Sequence, residues 1–235
     1  FIPEYYNDRY FDEYIKEAYN AKINNIVSEI KSSNMAKRDK LKRIYEFLVD
    51  NCDIDDLYLS PEYRDGDLTK PIPYSYGIIS RDSYAIHAGN KYGPVLCGKG
   101  VCRGFSLAFQ DIASKCNLST RIIEGDHKGF KHGWIVTEEN GEIYHIDVFC
   151  GIENKRAGKY KYEWFMKPAD YFIRFGGHRD FEESLNSATQ SLKNGYRVIS
   201  NSNPARKLGQ SNIGNHETSN VNLSNIEGFR TIRRR

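Results

Sequence analysis

The chain has 235 residues, 39% hydrophobic and 13% aromatic, with a formal net charge of +3 at pH 7. That is enough apolar material for one large core or two small ones, and the longest apolar runs are too short to span a bilayer, which excludes a transmembrane helix. From Asn186 onward lie eight of the 34 Lys/Arg but only two of the 31 Asp/Glu, so the first 185 residues are slightly acidic and no nucleic acid is expected as a partner.

Apolar residues at Phe11, Tyr14, Ile15, Ala18, Ile23, Ile26, Val27 and Ile30 repeat at helical spacing. Ser32-Ser33-Asn34 ends that helix. A second helix, Asp39–Asn51, carries Leu41, Ile44, Tyr45 and Leu48 on one side, with Asp39 near its positive end. Between Asp53 and Pro94 the chain holds Pro61, Pro71, Pro73 and Pro94 and reads as long loops. Loops of this length often build binding clefts.

The pattern then sharpens. Phe105, Ala108, Phe109, Ile112, Ala113 and Cys116 form one unbroken apolar stripe, which predicts a buried helix starting at or just after Cys102. Arg121–Glu124, His132–Thr137 and Glu142–Val148 read as strands, and Asn140-Gly141 between the last two is a strong hairpin signal. A hairpin turning there pairs residues whose numbers sum to about 281, so His132 and Asp147 can face the same side of the sheet. Glu163–Phe175 is aromatic, with Pro168 as a helix start. Beyond Asn186 the chain turns rich in Asn and Ser and ends in Arg233-Arg234-Arg235, a solvated basic extension.

Three residues in this stretch carry chemistry together. A thiol in the first turn of a buried helix faces backbone N–H groups that favour thiolate and can hold an oxyanion. A histidine takes the thiol proton, and a carboxylate fixes the imidazole tautomer. Cys102, His132 and Asp147 supply these groups in order. Taken singly, each has a plainer reading: a helix cysteine is usually core, and so is a strand histidine. The combination, with Gly98, Gly100 and Gly104 letting a substrate backbone come close, favours the triad. His145, on the same face as Asp147, is a decoy or a supporting group. Five cysteines is an odd count, which leaves disulfides open. Cys97, Cys102, Cys116, His127, His132 and Cys150 could be drawn into a zinc site, but there is no Cys-x-x-Cys and no trusted ligand spacing. Neither metal nor other cofactor is expected.

At these residues the sequence resembles the transglutaminase-like superfamily. The matching blocks are Tyr92-Gly93, Gly98-Lys99-Gly100-Val101-Cys102-Arg103-Gly104-Phe105, His132-Gly133-Trp134 and Tyr144-His145-Ile146-Asp147. The resemblance covers roughly residues 37–184, and its trailing aromatic stretch is followed by a histidine such as His178. It departs from the family pattern where Gly133, Ile135 and Phe149-Cys150 stand in place of Ala, Asn and Thr-Trp. The resemblance implies an α+β, papain-like core with the nucleophile helix packed on an antiparallel sheet. Cys102 would be the nucleophile, His132 the base and Asp147 the orienting group. Tyr92 would help build the oxyanion site, and Trp134 would pack beside the cleft.

The resulting expectation is a thiol acyl-transfer enzyme working on protein or peptide amides through a Cys102 thioester. Hydrolysis and transfer to an amine remain open. The alternative is a catalytically idle domain that binds a protein partner. Three segments are expected: helical residues 1–36, a catalytic domain at 37–185, and an extension at 186–235. The start at Phe1 reads as processed, and with the long aromatic loops it leans toward an exported or cell-surface bacterial protein.

Overall fold

The computed structural model describes residues 8–59, 72–74, 77–79 and 88–201. Most of the proline-bearing loop stretch and the extension beyond Asn201 lie outside the described residues. Two helices come first, α1 (Asp8–Ser32) and α2 (Lys37–Asn51). Along α1 the buried row is Ile15, Tyr19, Ile23, Ile26 and Ile30. Its steps of three and four residues keep one face inward. Tyr14, expected in that row, is 52% exposed, because it stands about 100° around the helix from Ile15. On α2 the four expected residues are buried, joined by Val49.

Short elements follow. Strand β1 (Asp53–Ile54) pairs in parallel with β4 (Lys99–Gly100), and β2 (Ile72–Tyr74) pairs antiparallel with β3 (Gly77–Ile79). Strand β1 is followed by a helical turn, α3 (Asp56–Leu59). A π-helical turn, Gly93–Cys97, closes on Gly98, whose φ of 66° is left-handed. Glycine adopts that conformation without steric cost.

Helix α4 (Cys102–Lys115) begins at Cys102, as the stripe predicts, and all six stripe residues are buried. Strands β5 (Arg121–His127), β6 (Phe130–Glu139) and β7 (Glu142–Ile146) follow, then α5 (Val148–Arg156), β8 (Phe165–Lys167), α6 (Ala169–Tyr171), β9 (His178–Arg179) and α7 (Glu182–Asn201). The main sheet runs β8-β7-β6-β5-β9 and is antiparallel throughout. The architecture is α+β. The β6–β7 hairpin has the expected register, Ile135 opposite Ile146 and Val136 opposite His145. Asn140 and Gly141 both take positive φ, 55° and 86°, which is the twist a two-residue hairpin turn needs.

The expected third strand is shorter than its sequence pattern. It stops at Ile146, and Asp147 caps α5 instead. The signals were local: a capping Asp, Lys155 and Arg156 in the last turn, and Gly158 just beyond. The apolar Val148-Phe149 pair reads equally well as strand, which hides the boundary.

The sheet is covered on both sides. Ile135 and Ile146 join one core with α1, α2 and α4. Ile123, Trp134 and Val136 join a second with Trp164, Phe172, Phe181 and α7. Strand β6 is therefore buried without a break from His132 to Thr137, the mark of a strand with two covered faces. The described residues belong to one compact unit, residues 1–201. Helix α1 shares the core of α2 and α4, and residue 185 falls inside α7. No described helix is long and apolar enough to cross a membrane.

Candidate active site

Cys102 is the first residue of α4, and Val101 before it caps the helix without a side-chain hydrogen bond. The first-turn N–H groups therefore surround the thiol with partial positive charge. One turn on, Ser106 Oγ donates to Gly133 O at 3.0 Å. That bond ties α4 to β6 next to His132.

The His132 ring is hydrogen-bonded to Asp147 and lies close enough to Cys102 for each to shift the ionisation of the other. Its Nε2 lies 2.7 Å from Asp147 Oδ2. A carboxylate only accepts, so a neutral His132 carries its proton on Nε2. Nδ1 is then the nitrogen left bare to take a proton. Asp147 Oδ1 accepts from Cys150 N at 3.1 Å, and Asp147 N donates to Trp164 O at 2.9 Å. The structure thus brings together the three residues singled out in the sequence. The His132–Asp147 contact runs through the cap of α5 and not through strand pairing.

A second imidazole reaches the same carboxylate. His178 Nε2 lies 3.1 Å from Asp147 Oδ2. His178 sits on β9, beside His127 of β5. Their rings stack at 4.5 Å and 9°. His127 Nδ1 faces Cys150 Sγ at 3.7 Å. The sequence pattern supplied His178 only as part of a trailing motif, and nothing local to residue 178 signals a contact with Asp147. Gly125 makes the approach of β9 possible, since a Cβ there would lie 2.5 Å from Arg179 O.

The other expected residues land differently. Trp134 is 1% exposed and so lines no open cleft. It packs beneath the site, stacked on His132 at 5.7 Å, with its indole N–H donated to His145 Nδ1 at 2.9 Å. His145 is a support for Trp134 and is fully buried. Tyr92 turns to α1, edge-on to Tyr19 at 5.3 Å. None of its interactions among the described residues reaches Cys102. Gly104 and Gly100 face the protein itself. A Cβ on Gly104 would lie 2.0 Å from Ala88 O, and one on Gly100 would lie 2.7 Å from Pro94 Cγ. Close internal packing accounts for both glycines. The five cysteines form no disulfide with one another.

Charge is distributed unevenly over these groups. Burial opposes ionisation of Asp147, but His132 and His178 outweigh it and hold the carboxyl well below its usual range. Burial likewise opposes a charge on His132, yet the carboxylate and its hydrogen bond raise that imidazole to about 10. Burial would push the Cys102 thiol up. The hydrogen bond and charge of His132, with a backbone hydrogen bond from Gly133, outweigh it and bring the thiol below its ordinary value. His127 and His145 are pushed down to about 4, chiefly by burial. Burial and the Asp147 charge drive the Cys150 thiol well up. Two cysteines near this carboxylate therefore differ in kind: Cys102 is held below the ordinary thiol value and Cys150 well above it.

Four of these side chains, His127, His132, Cys150 and His178, each offer a metal-binding atom, all within 4.8 Å of one another. No family model matches this sequence, and no curated protein does. Among solved structures, a crystal structure of a TGase is similar, at 13% identity and a TM-score of 0.40. The match covers 74% of this chain and 38% of that one, so the chain spans well under half the length of that protein.

Proposed function

We propose that this chain is a transglutaminase-like thiol enzyme with a papain-like core, which transfers acyl groups from protein or peptide amides through a thioester on Cys102. The observation that carries the reading is His132, hydrogen-bonded to a buried carboxylate and electrostatically coupled to a thiol at a helix start. Cys102 thiolate adds to the amide carbonyl carbon. The developing oxyanion is met by first-turn N–H groups of α4. His132, charged by the proton it took from the thiol, returns that proton to the leaving nitrogen as the C–N bond breaks. A thioester remains and an amine or ammonia departs. His132, now neutral, removes a proton from the second nucleophile, which attacks the thioester and releases Cys102. Asp147 holds the ring through both halves, and His178 holds Asp147 from the other side.

The test is incubation with a glutamine-rich protein and a labelled primary amine, with fragments and released ammonia followed in parallel. Amine incorporation, fragmentation or ammonia release that disappears in Cys102→Ala supports the reading and names the second nucleophile. A wild-type protein inert in all three assays, whose Cys102 alkylates like a free thiol, would instead point to a protein-binding module.

A further inference from the structure

The mechanism uses Cys102, His132, Asp147 and the support of His178. It leaves His127 and the Cys150 thiol without a part, although both are buried beside the site. Cys150 Sγ and His127 Nδ1 are 3.7 Å apart. Two ligands on one tetrahedral zinc ion stand about 3.3–3.6 Å apart, given zinc–nitrogen and zinc–sulfur bonds near 2.0 and 2.3 Å. This pair is already close to that spacing.

His178 is the third member of the set and has one nitrogen that the proposed reaction does not use. Its Nε2 donates to Asp147, so a neutral ring carries a bare lone pair on Nδ1. That atom is fully buried and has no partner. A carboxylate fixing one imidazole nitrogen while the other points at a metal is the usual outer support of a histidine ligand. Gly176 packs directly against this atom, since a Cβ there would lie 2.3 Å from it.

We infer that His127, Cys150 and His178 form a site for zinc or a similar soft divalent cation, and that His132 is drawn in as the fourth ligand to switch the enzyme off. One binding atom from each lies within 4.8 Å of the others, so closure asks for a contraction of roughly 1 Å. The His127 ring must also turn out of its stack on His178. On binding, four metal–ligand bonds form, and the Cys150 thiol proton passes to solvent together with any proton on a ligating nitrogen. No electron moves. One His132 nitrogen is bonded to Asp147, and the other is the base of the proposed reaction. Ligation through either breaks the arrangement that activates the thiol. The inhibitory half of the inference rests on the acyl-transfer reading; the metal site does not.

The experiment uses the full chain, stripped with a chelator and kept reduced, and titrated with Co²⁺. Expected is one ion per chain, with the visible bands of tetrahedral Co²⁺ and a thiolate-to-metal charge-transfer band, both erased by Zn²⁺. Cys150→Ser should abolish the charge-transfer band, whereas Cys102→Ser should keep it. His127→Gln should weaken binding at least tenfold, since loss of a mere outer partner already costs about 10–100-fold. Zn²⁺ should slow alkylation of Cys102 in the wild type, reversibly with chelator. A missing band, a band that survives Cys150→Ser, or one lost in Cys102→Ser overturns the site. Co²⁺ bands with unchanged Cys102 alkylation overturn the switch. Because the bands are read without any substrate, an inert acyl-transfer assay would leave the metal result standing on its own.

Discussion

The sharpest prediction concerns Asp147→Asn. The change keeps the shape of a buried side chain and an oxygen for the Cys150 N–H, and it removes one charge. With the carboxylate gone, burial is opposed only by the Cys102 side chain, and the His132 pKa falls from about 10. The imidazolium that favours the Cys102 thiolate is then less populated near neutrality, and burial pushes the thiol up. An ordinary thiol is only roughly 3% thiolate at pH 7, so a Cys102 held as thiolate in the wild type should lose about thirtyfold or more in alkylation rate. The assay is iodoacetamide labelling of Cys102 from pH 5 to 10, with the site confirmed by peptide mass. The wild-type profile should rise below the range of a free cysteine. The Asp147→Asn profile should rise above it. Breaking a buried pair costs about 3–5 kcal/mol, so a fall in Tm of about 6–20 °C is expected, and labelling is done well below that transition. Overlapping profiles for the two folded proteins would refute the electrostatic coupling.

Other consequences can be checked together. Cys102→Ala should end turnover with a near-normal thermal melt, because alanine suits the first turn of α4; unfolding would make Cys102 a core residue instead. Gly104→Ala should destabilise by about 1–3 kcal/mol or more, since its Cβ would meet Ala88 O at 2.0 Å, and chemical denaturation measures this. Trp134→Phe should cost about 1–3 kcal/mol in the same assay, by leaving His145 Nδ1 without its donor. Stability should peak near neutrality. His127 and His145 are pushed down to about 4 in the fold against about 6.5 when unfolded, so their contribution is present above 6.5 and is lost as pH falls toward 4. His132, raised to about 10, contributes fully below about 6.5, and its share is lost as pH rises through 10. A Tm profile that keeps rising from pH 6 to 4 would contradict this, and His145→Phe should flatten the acid limb.

What the sequence revealed follows from how local each feature is. The stripe from Phe105 to Cys116 is a property of one helix, and it predicted both the burial and the start of α4. The Asn140-Gly141 turn fixes its own register, and that register could be written down from two residues. The end of β7 was harder, since Val148 and Phe149 satisfy strand and helix alike and the choice is made by the cap at Asp147. The placement of His178 and His127 was out of reach. They are neighbours only because a two-residue strand, β9, docks beside β5 across Gly125. The setting of Tyr92 was out of reach for a related reason. Nearness in sequence to Cys102 does not say which way a ring turns, and Tyr92 packs edge-on to Tyr19 of α1.

The dual duty of Asp147 has a consequence for the order of events in synthesis. The same carboxyl group starts α5 through the Cys150 N–H and orients the His132 ring. Until α5 winds, that carboxylate has no fixed place, and Cys102, made earlier in the chain, is an ordinary thiol. On the acyl-transfer reading, the reactive sulfur therefore does not exist on the nascent polypeptide and comes into being only with the folded domain.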